Sequence, residues 1–269
     1  MDITRALFIS QEITPYLPAD TLSTLNRDLP QGVQENGIEV RTFMPKYGCI
    51  NERRNQLHEV IRLSGLNIAI DDSDHPLIIK VATLQPSRMQ VYFIDSDDYF
   101  ERHSSKELEI VGNPAENDER LIFFTRGVIE TVKKLRWIPS VIHCTGWMSA
   151  LTPLYLKKIY ANDPTLKDVK IVYSLFDTPM VEPLGERTVE KLKLDNINVK
   201  DIPTLTGIER PTDKELHQLA IQYADALIQA SPDVDPELIK MARDTGKPFM
   251  AYPGEDDYVN KYLDFYRSL

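Results

Sequence analysis

Cysteine is nearly absent from this chain. It occurs twice among 269 residues, as Cys49 and Cys144. Two thiols so far apart supply neither a disulfide framework nor a zinc-ligand spacing, so no metal and no cofactor is expected. Positive charge is also short: 31 Lys and Arg stand against 41 Asp and Glu, for a net charge of −10. With no basic block anywhere, a nucleic-acid partner and attraction to an anionic membrane are excluded. No apolar run approaches the roughly 20 residues that span a bilayer. The opening MDITRALFIS lacks the order of a signal peptide. The sequence therefore reads as cytoplasmic. Internal repeats and low-complexity stretches are missing too.

What remains is an ordinary globular composition, 42% hydrophobic and 27% charged. The apolar run at 4–10 suits a buried parallel strand. After it, Asp20 caps a helix in which Leu22, Leu25, Leu29 and Val33 repeat at helical spacing, with a bend at Pro30 and a stop at Gly37. Residues 38–45 alternate as a second strand. Residues 46–100 change character: LNIAI, LIIKVATL and MQVYFID are strand-like, separated by turns and by no long helix, which predicts an antiparallel excursion. Asn113, Pro114 and Glu116 form the cap, first position and capping box of a long helix with a stripe at Leu121, Phe124, Val128, Val132 and Leu135.

Strands and helices then alternate: a strand over SVIHC, a helix over 149–160, a strand over VKIVYSL. An irregular stretch covers 180–212, with a short helix near 186–194. A helix over 212–223, a strand in DALIQAS, a helix from Asp235 and Pro236, and an amphipathic last helix in YVNKYLDFYRSL complete the chain. This predicts an α/β fold with a Rossmann-like, doubly wound, mostly parallel sheet and an inserted antiparallel β excursion. Ligands of such sheets bind at the carboxyl ends of the strands. The loops at 11–20, 144–148, 176–185 and 231–235 are therefore the candidates.

Loop 11–20 has no glycine to let backbone N–H groups approach a diphosphate, and Pro15 and Pro18 remove two donors. Asp20 adds negative charge where an anion would dock. Glu12 either accepts a hydrogen bond from a sugar hydroxyl or fixes the loop. His143 ends a strand as a general base or as a satisfied buried histidine, and no nearby carboxylate orients it. Cys144, without an activating neighbour, behaves as a small hydrophobe. Trp147 stacks on a sugar or anchors the core. Asp177 holds a hydroxyl or caps a turn. Asp97 and Asp98 read as a turn before a short helix better than as a metal site. Asn117, Asp118, Glu119 and Arg120 read as a solvated first helical turn, with one or two side chains turned toward the cleft.

Six collinear stretches carry a resemblance: FISQEITPY, LPQGVQENGIEVRTFMPKYG, VYFIDSDDYFER, NDERLIFFTRGVIETVKKLRWIPSVIHC, LTPLYLKKIYANDP and YADALIQASP. Together they resemble the N-terminal, acceptor-side domain of the ADP-glucose-dependent glycogen and starch synthases, over nearly the whole chain but faintly at 51–88 and 185–212. The resemblance implies half of a GT-B glycosyltransferase that moves glucose from ADP-glucose to an α-1,4-glucan. On it, the candidate ligand cleft comprises Glu12, Tyr16, Asn117, Arg120, His143, Thr145, Trp147 and Asp177.

The chain departs from the family at its chemical positions. Glu12, Pro15 and Tyr16 keep the first-loop pattern, but Pro18 stands at the lysine and Asp20 and Thr21 at the two glycines. Of the His-Asp-Trp-His motif only Trp147 is kept, beside Thr145, Gly146 and Met148. Leu175, Phe176 and Asp177 replace Ile-His-Asn. Residues 252–269 resemble the family's exit from its first domain. The expectation is a single domain, 1–269, without the family's second one and with no catalytic residue of its own. Each such group is worth on the order of 3 kcal/mol at a transition state, out of the roughly 8–23 kcal/mol an enzyme supplies. The expected function is therefore a non-catalytic relative in glycogen metabolism that binds α-glucan or a partner enzyme. The alternatives are a transferase half completed in trans by a partner protein, and a stand-alone Rossmann small-ligand or interaction module.

Overall fold

The computed structural model describes residues 2–101 and 116–269. A parallel sheet forms its centre, in the order β10 (Phe249–Met250), β9 (Ala226–Gln229), β8 (Lys170–Leu175), β7 (Val141–Thr145), β1 (Arg5–Ser10), β2 (Glu39–Pro45), β6 (Met89–Asp95), continued by antiparallel β5 (Ser73–Leu84) and β3 (His58–Glu59), with β4 (Leu66–Ile70) paired to β5. The central strand, β1 (Arg5–Ser10), lies between β2 (Glu39–Pro45) and β7 (Val141–Thr145), pairing Leu7 with Arg41 on one side and with Ile142 on the other. β8 (Lys170–Leu175), β9 (Ala226–Gln229) and β10 (Phe249–Met250) extend the sheet beyond β7. Residues 141–145 are buried without a break, as a strand covered on both faces requires.

The antiparallel excursion is smaller than the sequence predicts. It consists of β3 (His58–Glu59), β4 (Leu66–Ile70) and β5 (Ser73–Leu84). The strand read as its last member, β6 (Met89–Asp95), is antiparallel to β5 but parallel to β2, pairing Phe43 with Tyr92, and so belongs to the main sheet. A hairpin neighbour is all that local spacing reveals. The other edge of β6 is chosen by its nearly continuous burial, which needs cover on both faces.

Helix α1 (Thr21–Glu35) starts at Asp20, whose carboxylate accepts from the Ser23 amide at 2.7 Å in a reciprocal capping box. It runs on through Pro30 and ends before Gly37, at φ +85°. After α2 (Glu52–Asn55) comes α3 (Asn117–Leu135). The predicted cap and first position of α3, Asn113 and Pro114, lie outside the described residues. Glu116 occupies the cap position and makes no side-chain capping hydrogen bond. The later helices are α4 (Thr152–Lys158), α5 (Thr188–Leu194), α6 (Asp213–Tyr223), α7 (Pro236–Asp244) and α8 (Tyr258–Arg267).

Crossovers from β1 to β2 and from β7 to β8 run in opposite directions. Right-handed connections therefore place α1 and α4 on opposite faces. α3, α4, α6 and α7 pack in succession on one face, and α1 packs with α8 on the other. The α8 contact is close: a Cβ on Gly32 of α1 would lie 2.7 Å from Val259. Tyr262, Leu263 and Tyr266 of α8 are buried in the core. Among the described residues no helix is long and apolar enough to cross a membrane, and no group of three or more His, Cys, Asp or Glu side chains converges as a metal site would require.

Candidate functional site

The strand order reverses direction between β1 and β7, so the crevice for a ligand lies above their carboxyl ends. The protein's own side chains fill it. Gly146 follows β7 at φ 82°, ψ 161°, a region that only glycine occupies without strain. A Cβ there would collide with the side chain of Gln11, which follows β1. Gln11 is 2% exposed, and its Oε1 has no hydrogen-bond partner among the described residues. Its backbone carbonyl accepts from the buried Tyr47 hydroxyl at 2.9 Å. The Gly146 carbonyl accepts from Ser149 Oγ at 2.9 Å and closes the 3-10 turn Trp147–Ser149, all of it buried.

The eight sequence-predicted residues fall into three groups. Thr145 ends β7 and Trp147 opens that packed turn, both buried. His143, on β7, is buried between Tyr266 Oη at Nδ1 and Ser174 Oγ at Nε2, both at 2.6 Å. Burial lowers its pKa to about 3, so the ring is neutral, with one nitrogen donating and the other accepting. The same burial pushes the neighbouring Cys144 thiol well up.

Glu12 and Tyr16 form the second group, in the first loop. Glu12 is half-buried and its pKa rises to about 7, from burial first and from Asp20 next, against a hydrogen bond from Gln11 Nε2 at 3.3 Å. Tyr16 packs edge-on to Phe93 at 4.9 Å, and burial raises its phenol to about 12.

The third group lies at the start of α3, with Asp177 exposed after β8. The solvated first turn read from the sequence is a correction: Asn117, Asp118 and Arg120 are all buried. Arg120 donates to the Tyr99 carbonyl at 3.0 Å and to Asn117 Oδ1 at 3.1 Å, and its guanidinium lies 5.2 Å from the Phe100 ring centre. Burial lowers its pKa. Asn117 in turn donates to the Glu182 carbonyl at 3.3 Å, and Lys191 reaches Asp118 at 2.8 Å and Glu119 at 2.7 Å. These groups hold the irregular segment after β8 against α3.

Most loops of the carboxyl edge carry no base; the exception is Lys46 after β2, which is paired with Glu52 at 3.0 Å. Loops 11–20, 146–151, 176–185, 230–235 and 251–257 contain no Lys, Arg or His. They do carry acids: Glu12 and Asp20, Asp177 and Glu182, Asp233 and Asp235, and the run Glu255–Asp256–Asp257. Cations do reach them from neighbouring segments: Lys214 pairs with Asp235 and Glu237, Arg210 with Glu182, and Lys261 donates to the Pro253 and Asp256 carbonyls. Farther along, the edge is open at a cleft of about 350 Å³ that separates the start of α1 from the C-terminal segment. Tyr252, Tyr258 and Tyr262 line it with Asp28, and Phe176 and Ala230 at the ends of β8 and β9 complete it. A second hollow of about 290 Å³, between α3, α4 and the end of α5, holds Arg126, Tyr155, Tyr160 and Asp195.

Sequence reasoning passed over Gln11 and the tyrosines of the C-terminal segment. Gln11 gave no signal beyond its place after a strand. The spacing of Tyr258, Tyr262 and Tyr266 marks a buried helix face and does not show that part of that face lines a cleft.

A doubly wound sheet with its crevice beside the first strand, widened by an antiparallel edge, is the kind of Rossmann-like half from which GT-B glycosyltransferases are built. A family profile described as starch synthase catalytic domain matches residues 5–247. The chain is 33% identical over 230 residues to a glycogen synthase of Chlorobium phaeobacteroides, covering 84% of this chain and 45% of that protein. It is 35% identical over 231 residues to one of Chlorobaculum parvum, covering 85% and 46%. In structure it is similar to the catalytic domain of starch synthase IV from Arabidopsis thaliana bound to ADP and acarbose, with a TM-score of 0.73, 18% identity, and coverage of 96% of this chain and 55% of that one. The chain belongs to the starch synthase catalytic domain family, and it spans about half the length of the curated relatives it matches.

Proposed function

We propose that these residues form a binding member of the family in α-1,4-glucan metabolism and do not by themselves transfer glucose from ADP-glucose. Its binding surface is the carboxyl edge with the start of α3, facing glucan or a partner enzyme. One observation carries the reading: the crevice between β1 and β7 is packed by Gln11, Trp147 and Met148, and its own loops, 11–20 and 146–151, contain no base. A donor carrying a diphosphate needs the opposite, backbone donors and cations aimed at its charge. Buried and neutral, His143 has both ring nitrogens engaged by Tyr266 and Ser174, so it is held away from proton transfer with a ligand.

Incubation of the purified chain with radiolabelled ADP-glucose and maltotriose is the test. No elongated product above the protein-free control is expected. Elongation by the chain alone, abolished by a substitution in the 144–148 loop, would overturn the reading. Calorimetric titration with maltooligosaccharides separates its two binding versions. Heat that saturates at millimolar sugar supports a glucan surface, and no heat leaves the partner enzyme.

A further inference from the structure

The open cleft between α1 and α8 has the chemistry of a cation site. Its lining includes the rings of Phe176, Tyr252, Tyr258 and Tyr262 and the carboxylates of Asp28 and Glu255, and it contains no lysine or arginine. Aromatic faces carry negative potential and attract a cation placed over them, most of all where water is partly excluded. Tyr262 is buried, Tyr258 half-buried and Tyr252 36% exposed, so the rings run from the interior to the mouth. Tyr258 and Tyr262 meet edge-on at 6.3 Å. At the rim, Arg27 Nε already holds Asp28 Oδ1 at 2.6 Å and Lys261 Nζ donates to the Pro253 carbonyl at 2.6 Å, so an entering guanidinium meets the rings and Glu255. The volume, about 350 Å³, lies at the small end of the range of about 300–1,000 Å³ for ligand pockets.

We propose that this cleft receives an arginine side chain of a basic protein partner. Arginine suits it better than lysine, because a planar guanidinium stacks on tyrosine and forks onto a carboxylate at once. A polypeptide suits it better than a small organic cation, because the acidity does not stop at the cleft. Glu255 is followed by Asp256 and Asp257, and Asp20, Asp177 and Asp233 lie on neighbouring loops of the same edge. Charge of one sign spread over several loops matches a surface with several bases. The proposal rests on the reading of this edge as a binding surface and names the partner's chemistry. It fails separately from the absence of transfer, which a different assay reads.

The probe is a short acetylated and amidated Arg-Gly repeat peptide, titrated into the full chain at low salt and followed by calorimetry and by the aromatic NMR signals. Saturable binding is expected, with shifts at Tyr252 and Tyr258. Tyr258→Leu should weaken it roughly fivefold, Tyr258→Phe should restore it, and Asp244→Asn, which removes one exposed acid on α7, should leave it unchanged. A matched Lys-Gly peptide should bind more weakly. Unchanged binding in Tyr258→Leu together with a loss in Asp244→Asn would show diffuse charge attraction and overturn the proposal. Absence of binding would overturn it too, as would displacement of the peptide by maltotriose, which would assign the cleft to sugar. Thermal melts of each variant identify any loss that comes from unfolding.

Discussion

Between β1 and β7 the carboxyl edge is filled by the protein's own side chains; between α1 and α8, on the same edge, it stays open. The first place is where a doubly wound sheet binds its ligand, yet Thr145, Trp147 and Met148 are all 3% exposed or less. The second is a cleft of about 350 Å³ built from a C-terminal segment whose other face is deep in the core. The two places differ in what fills them: side-chain packing at the first, open space at the second. The packing of α8 anchors the open cleft through Tyr266 and His143.

The largest effect should come from forcing the closed place open. Gly146→Asp puts a Cβ into the Gln11 side chain, a non-glycine residue at φ 82°, ψ 161°, and a carboxylate among buried groups. The backbone term alone costs about 1–3 kcal/mol, and a buried unpaired charge adds several more. A loss above about 4 kcal/mol in urea unfolding is expected. Gly146→Ala should lose less, and Gln11→Ala in that background should return only the steric part. If Gly146→Asp unfolds within about 1 kcal/mol of the parent, the crevice is slack and the contrast drawn above disappears.

Acid should come next. His143 is held at about 3 and His217, 2.7 Å from the Tyr173 hydroxyl, at about 4, against an ordinary value of 6.5; burial is the cause in both. Above pH 6.5 neither folded nor unfolded histidine binds a proton, and their contribution is complete. Below it the unfolded chain takes up protons that the folded one refuses, so stability falls until the folded pKa is reached. At pH 5 each has lost about 1.5 units, or about 2 kcal/mol. His143→Gln should flatten the acid limb of a plot of unfolding free energy against pH. An unchanged slope would mean that His143 takes up its proton in the folded state.

Removing the anchor of α8 is a smaller change. Tyr266→Phe deletes the hydroxyl 2.6 Å from His143 Nδ1 and leaves a buried ring nitrogen unpaired, at about 1–3 kcal/mol. It should also loosen the open cleft, so the aromatic signals of Tyr258 and Tyr262 should broaden together. Loss of stability without broadening would uncouple the anchor from the cleft.

Much of this was legible in the sequence because burial leaves a periodic trace. Residues 141–145 and 170–175 are strands buried almost without a break around their Val, Ile and Leu side chains, and Asp20 and Asp235 each cap the helix they precede. What was not legible depends on partners distant in the chain. The cluster Asn117, Asp118, Arg120 looks like a solvated turn because its partners, such as Glu182 and Lys191, lie 65 and 73 residues away. β10 is two residues long, too short to show a period. The close approach of Gln11 to Gly146, at φ 82°, ψ 161°, was equally illegible, because the two residues lie on loops after different strands.

The smallest effect tests whether the closed crevice still carries an unrelieved charge. Glu12 has a folded pKa of about 7 against an ordinary 4.5, raised by burial and by Asp20. A carboxyl whose pKa is raised on folding behaves opposite to the histidines. Above pH 7 the folded state must hold it ionised in a poor environment, and that cost disappears as pH falls from 7 to 4.5. Glu12→Gln removes the cost at every pH. Because Glu12 keeps some access to water, part of the shift is screened, and a gain of about 1–2 kcal/mol at pH 8 is expected. At pH 4.5 the gain should vanish, since both side chains are then neutral in the folded state. Equal stability of the variant and the parent at pH 8 would mean that solvent reaches Glu12 freely and that this end of the edge is less tightly closed than the packing of Gln11 against Gly146 implies.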